Sequence, residues 1–195
     1  MRPSFDTYFM RFAYLAATRA SCDRKHVGAV LVTPDRRILA TGYNGAPARL
    51  PDCDEVGHEL VDGHCIRTLH AESNAIDYAG RLAKGCTLYT TVSPCYDCAK
   101  RIICSGIVRL CFDEFYSSRY SKSAEVPEFL TSGGVVVEQF DSPGLQLFKT
   151  HLSEMERAER IVAETTQVEW ACGCQAPAAV AGVNCPMHGQ PRVHE

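Results

Sequence analysis

The chain has 195 residues, 46% of them hydrophobic and 22% charged, with a formal net charge of -3 at pH 7 and a pI of about 6.2. That length suffices for one cored domain with appendages, and the acidic balance argues against a broad electrostatic surface for polymeric nucleic acid while leaving small phosphorylated ligands open to a few local arginines. No apolar run approaches a membrane span and the residues from Met1 to Asp6 carry no secretory hydrophobic stretch, so the expected compartment is the cytoplasm.

Ser4 to Ala20 has apolar residues at helical spacing (Phe5, Tyr8, Phe9, Phe12, Ala13, Leu15, Ala16), with Ser4 placed as an N-cap. Two β-branched runs follow, Val27 to Val32 and Ile38 to Tyr43, separated by the turn Pro34-Asp35-Arg36-Arg37, and they read as an antiparallel hairpin. Asn44-Gly45-Ala46-Pro47 ends the second strand. Residues 48 to 68 then show no sustained period, and a loop of that length is usually functional or held by something other than a core. It contains Cys53, His58, His64 and Cys65, so a metal is the expected holder.

A helix is expected to start near His70 and run through Leu82, ending before Gly85. Thr87 to Val92 reads as a strand, and Cys95 to Cys104 as a helix with Pro94 near its first position, where a missing N–H is harmless. Ile107 to Phe112 and Val135 to Gln139 are further strands. Helix and strand alternate after residue 69, which implies an α/β sheet with helices on both faces. A last helical stretch runs from about Pro143 to Glu164; beyond Trp170 the composition turns to Ala, Pro, Gly and Cys. The expected division is a zinc domain over residues 1–145 and a helix with a Cys-containing tail over 146–195.

Eleven cysteines in a reducing compartment are more often metal ligands or small buried hydrophobes than disulfides. Cys86, Cys104 and Cys111 lie in apolar contexts and read as hydrophobes. His70-Ala71-Glu72 followed by Pro94-Cys95-Tyr96-Asp97-Cys98 reads differently. One imidazole and two thiolates can hold Zn²⁺ with a fourth position open to water, and Glu72 stands two residues from the imidazole without being needed as a ligand. A closed structural site and a Cys-x-x-Cys redox pair are the competing readings; the His-x-Glu and Pro-Cys-x-x-Cys combination favours a hydrolytic zinc with Glu72 as proton shuttle, and it is the general signature of zinc deaminases.

On Val27 to Val30, Gly42 to Pro47, His70 to Ile76 and Ser93 to Lys100, the chain resembles the cytidine and deoxycytidylate deaminase family, and within it the deoxycytidylate (dCMP) deaminases, over about residues 5 to 145. The resemblance implies a three-layer α/β/α fold with a five-stranded mixed sheet, a homo-oligomer with a hexamer favoured, and zinc-dependent conversion of dCMP to dUMP and ammonia. Water activated by the metal would attack C4 of cytosine, with Glu72 protonating N3 and then the leaving amine. Asn44 would bond the nucleotide, Ser93 the base, and Tyr116 would line the pocket; Asn44 can equally be read as a turn residue before Gly45. The substrate phosphate has Arg24, Lys25, Arg49 and Arg119 as candidate partners. The resemblance also implies dCTP and dTTP as effectors, with Mg²⁺ accompanying the nucleotide and Arg81 as a contact, and a second, structural zinc. Cys22 and Cys53 match two of its ligands, with His58 and Cys65 chosen for the others and His64 as the substitute.

Outside the matched region, Cys172, Cys174, Cys185 and His188 offer either a zinc knuckle or an unstructured tail. Among alternatives, a small nucleoside deaminase would carry Cys at the place of His70, the acidic balance and the Tyr43-Asn44-Gly45 loop argue against a tRNA adenosine deaminase, and a riboflavin-pathway enzyme needs a longer cysteine motif. Another cytosine nucleotide as substrate stays open. A non-catalytic nucleotide-binding or competence-type accessory protein would have no use for Glu72.

Overall fold

The computed structural model describes residues 2–116, 123–165, 167–169 and 175–177. Cys172, Cys174, Cys185, His188 and Arg119 lie outside the described residues. The chain divides into two units, Met1–Gln146 and Leu147–Glu195. The second unit holds most of the helix α6 (Pro143–Thr165) and a short antiparallel pair, β8 (Gln167–Glu169) with β9 (Gln175–Pro177). Among the described residues no helix is long and apolar enough to cross a membrane.

The first unit is built on a five-stranded mixed sheet in the order β2-β1-β5-β6-β7. Strand β1 (Gly28–Val32) pairs antiparallel with β2 (Ile38–Tyr43) and with β5 (Thr87–Val92), whereas β5, β6 (Arg109–Glu114) and β7 (Val136–Gln139) run parallel. Gly28 to Val32 is buried at every position, as a continuous apolar run in a central strand should be, and β2 alternates toward exposure at the sheet edge. Helices α3 (Ala71–Ala79), α4 (Tyr96–Cys104) and α5 (Val126–Ser132) enclose a core with Leu31, Leu88, Ile102, Leu110 and Leu130 on one face. Helix α1 (Phe5–Ala17) and the first turn of α6 close the other face through Phe9, Met10, Ala13, Val30, Tyr89 and Leu145. The result is the three-layer arrangement expected from the alternation.

Local chemistry explains the ends of the elements. Ser4 caps α1 by accepting the Thr7 amide at 3.1 Å. Helix α3 stops at Ala79, short of the Leu82 that periodicity suggested, because Gly80 leaves the helical region and a 3₁₀ turn (Gly80–Ala83) follows. Helix α4 begins at Tyr96 with Cys95 as its N-cap, so Pro94 precedes the cap instead of occupying the first helical position. Cys86 and Cys111 are buried as expected, but Cys104 is exposed at the last residue of α4.

Two glycines set how closely the helices lie on the sheet. A Cβ on Gly28 would stand 1.9 Å from the Ala13 carbonyl oxygen in α1, and one on Gly42 would stand 2.2 Å from the Ala71 carbonyl oxygen in α3. The second contact fixes the start of α3, and with it His70 and Glu72, against β2.

The stretch from 48 to 68 is not featureless. A one-turn helix α2 (Cys53–Val56) is held by a capping box between Asp52 and Glu55, and β3 (Leu60–Val61) pairs with β4 (His64–Cys65) across a turn in which Asp62 and Gly63 both have positive φ. Leu60, Val61 and Ile66 are exposed, so little apolar burial holds this hairpin.

Candidate active site and metal centres

Two helix N-termini meet at the floor of an open cavity of about 140 Å³. His70 is the N-cap of α3 and Cys95 the N-cap of α4, neither making a side-chain cap bond, which leaves both side chains available to a ligand. His70 Nδ1 lies 3.4 Å from Cys95 Sγ and 3.4 Å from Cys98 Sγ. A tetrahedral zinc with Zn–S about 2.3 Å and Zn–N about 2.0 Å has N···S edges of roughly 3.6 Å, so this donor set fits the ion. Both helix dipoles present their positive ends, which favours thiolate. Cys95 is brought down to about 4, first by the hydrogen bond from Cys98 and then by His70. His70 is raised to about 9, chiefly by its bond to Cys95 and against the effect of burial.

Glu72 is 4% exposed, in the first turn of α3. Burial pushes its carboxyl up, opposed by the attraction of His70. It lines the cavity beside His70 and Cys95, a carboxyl placed to hold or release a proton without acting as a fourth protein ligand.

Ser93 and Tyr116 also line the cavity, and the Ser93 hydroxyl accepts the Tyr116 amide at 2.8 Å, fixing the chain just beyond β6. Asn44 is in the wall, but its side chain is largely engaged within the protein: its oxygen accepts the Val27 amide at 2.7 Å and its nitrogen donates to the Lys25 carbonyl at 2.9 Å. One N–H and one lone pair remain for a ligand. The turn-residue and nucleotide readings of Asn44 are therefore compatible, with the first carried by named bonds.

The phosphate candidates separate. Arg24 and Lys25 line this cavity; Arg49, at positive φ, lines a different one with Arg19 and Asp52. Lys25 is paired with Glu114 at 2.7 Å, and Arg24 donates to the Gly63 carbonyl at 2.7 Å. Arg81 is exposed in the 3₁₀ turn after α3, away from the lining.

A second donor group stands at the cavity's edge. The ligand atoms of Cys22, Cys53, His58 and Cys65 all lie within 4.8 Å of one another, with Cys22 Sγ 3.7 Å from His58 Nδ1 and Cys53 Sγ 3.5 Å from Cys65 Sγ. These edges are also tetrahedral in scale. Cys53 is pushed up to about 12, first by burial and then by its neighbouring thiols. Cys65 is brought down to about 7: burial acts upward, and main-chain bonds at Arg67 and Glu59 outweigh it. His64 is not in the group; it lines the cavity, as does Cys65, whose thiol also joins the other three donors. Sequence reasoning also missed Asp23, whose Oδ1 lies 2.8 Å from His58 Nε2 and holds the ring with Nδ1 toward the sulfurs. No spacing rule announces it.

Comparison with known proteins gives the same region. Residues 3–114 match the family described as the cytidine and deoxycytidylate deaminase zinc-binding region. The deoxycytidylate deaminase of Saccharomyces cerevisiae is 40% identical over 148 residues, covering 72% of this chain and 46% of that protein. ComE operon protein 2 of Bacillus subtilis is 38% identical over 143 residues, covering 72% of this chain and 73% of that one. The chain thus spans about half the length of the yeast relative and nearly three quarters of the bacterial one. Among solved structures, the dCMP deaminase of cyanophage S-TIM5 in complex with dCMP and dUMP superposes with a TM-score of 0.59 at 32% identity, covering 72% of this chain and 99% of that one.

Proposed function

The chain belongs to the cytidine and deoxycytidylate deaminase family, and from that premise we propose that it hydrolyses dCMP to dUMP and ammonia. The observation that carries the reading is the buried Glu72 carboxyl beside a His70, Cys95, Cys98 donor set at the floor of a cavity. Those three residues would hold the zinc, which supplies the Lewis acidity that makes a water nucleophilic near pH 7.

The protein's own groups do the rest. Glu72 would take a proton from the attacking water and pass it to N3 of the cytosine ring, then take the second from the new C4 hydroxyl and deliver it to the amine as the C4–N bond breaks and ammonia leaves. Its raised pKa suits a group that must both accept and give a proton. Ser93, with the main chain it fixes at Tyr116, positions the base, and the spare N–H of Asn44 is offered to the sugar. Arg24 and Lys25 receive the phosphate; Arg49 is set aside because it faces another cavity. Cationic groups at the mouth favour a nucleotide over a nucleoside.

The Cys22, Cys53, His58, Cys65 group supports a second, structural zinc. The family also supports a homo-oligomer, with a hexamer favoured, dCTP and dTTP as effectors with Mg²⁺, and a cytoplasmic location; the zinc domain is taken as residues 1–145. A non-catalytic nucleotide-binding role would leave Glu72 without a purpose. The deciding measurement is ammonia release by purified zinc-loaded protein given dCMP, cytidine or dCTP. Release from dCMP is expected, release from dCTP alone would transfer the activity to another nucleotide, and no release from any of the three would remove the enzyme reading.

A further inference from the structure

Three basic side chains face the cavity above its floor: Arg24, Lys25 and His64. All three lie on the segments that the second donor group joins. Arg24 and Lys25 follow Cys22 by two and three residues, and His64 directly precedes Cys65 in β4. The donor group takes Cys22 from the segment leading into β1, and Cys53, His58 and Cys65 from the excursion that ends in the hairpin. A second tie crosses the same gap, from Arg24 Nη2 to the carbonyl of Gly63 in the hairpin turn at 2.7 Å.

The hairpin buries little apolar surface, since Leu60, Val61 and Ile66 are exposed, and polar ties such as Ile66 N to the Glu59 carbonyl at 2.9 Å and Arg67 Nε to the Gly57 carbonyl at 3.1 Å brace its base. The floor, by contrast, is anchored to the sheet through β5, α3 and α4. A ligand's base and its phosphate therefore meet supports of different origin. Basic groups on two surface segments, His64 in the hairpin and Arg24 and Lys25 ahead of β1, would lose conformational freedom on clamping a phosphate together, which weakens binding; groups held beforehand in one arrangement would not.

We propose that the Cys22, Cys53, His58 and Cys65 group, with its metal bound, determines affinity for the 5′-phosphate of the substrate by holding Arg24, Lys25 and His64 in one arrangement. The proposal rests on the dCMP reading. It assigns this metal a task in recognition, separate from the chemical step at Glu72.

The test measures zinc per chain, the affinity for dUMP by calorimetry, and kcat and KM for dCMP, in the wild type and in Cys53→Ser and Asp23→Asn. Cys53 lies outside the cavity lining, and Asp23 is an exposed carboxylate that touches the group only through His58. In Cys53→Ser, zinc falls from two to one per chain, dUMP affinity drops and KM rises by roughly tenfold or more, and kcat stays within about twofold. In Asp23→Asn, the second zinc is lost faster to a chelator, and dUMP affinity falls with it. Unchanged dUMP affinity in a variant that has lost the second zinc overturns the proposal, and so does a fall in kcat matching the rise in KM. Should Cys53→Ser fail to fold, Asp23→Asn decides by the same measurements after chelation. A wild type that carries zinc but neither binds dUMP nor deaminates dCMP defeats the activity reading itself, a distinct outcome.

Discussion

Glu72 and Asn44 show how differently one side chain can matter. Glu72 holds no metal in the proposed scheme and is buried beside the ligands, so its removal separates binding of zinc from turnover. Glu72→Gln is expected to keep full zinc content and to lose about 10²- to 10⁴-fold in kcat, the range for a positioned general acid-base. Cys95→Ala, which removes a ligand, should lose zinc and turnover together; elemental analysis beside an ammonia assay checks both. Asn44 makes two bonds to the main chain at Lys25 and Val27, which hold the segment that carries two basic residues of the wall. Asn44→Ala leaves those groups unpaired and should cost about 1–3 kcal/mol of stability, read from thermal unfolding, as well as raising KM for dCMP. The position of Glu72 beside His70 was legible in the sequence because His-x-Glu spacing places both residues at one helix start. The bonds of Asn44 were not, since nothing in Asn-Gly names the partners 17 and 19 residues away.

At the level of elements, close packing and metal ligation solve different problems. Helix α3 can lie on β2 only because Gly42 has no Cβ, so Gly42→Ala must lift the helix that carries His70 and Glu72. A loss of about 1–3 kcal/mol in stability is expected, the usual cost of overpacking, together with a lower zinc content. Thermal melts and metal analysis on one preparation test it. In the proposed scheme the excursion between β2 and α3 is held by metal ligands, where α3 is held by packing. Removing zinc with a chelator should expose residues 57–63 to proteolysis while the five-stranded sheet stays intact; fragment masses locate the cut. Cleavage at the same rate before and after chelation counts against metal as the holder. Periodicity identified α1, β1 and β5 because each buries one face or both against a core; α6 shows the same spacing, yet beyond Leu145 its Leu147, Met155 and Ile161 are exposed. Periodicity could not find α2, β3 and β4, whose two to four residues complete no period and whose Val56, Leu60 and Val61 are exposed.

For the molecule as a whole, the face of the sheet opposite the core under α3 and α4 also carries a charged network. Asp6 in α1 accepts from Tyr89 at 2.6 Å and from Arg109 at 2.9 Å, and Arg109 also pairs with Glu138 in β7. Burial would raise the Asp6 pKa, but the bonds from Arg109 and Tyr89 prevail and hold it below its usual value of 3.8. A carboxyl depressed in the folded state adds stability that is present above the unfolded pKa and is lost as pH falls through the folded one. Acid unfolding should therefore steepen below about pH 4, and Asp6→Asn should flatten that limb while lowering stability at neutral pH. With a third of the Asp6 side chain exposed, solvent screening keeps the effect modest. The sequence by itself determined the alternation of helix and strand and the His70-x-Glu72 and Cys95-x-x-Cys98 pairs, because each is a local spacing that helix or strand geometry converts into proximity, while the packing of α3 and α4 brings His70 to both thiols. Tertiary structure alone decided which cations share the cavity with Glu72, that His58 and not His64 joins the second donor group, and that Asp23 orients His58. Those relations join segments brought together by β2, α3 and the hairpin, and no local period records which distant side chains will meet when a sheet closes over its loops.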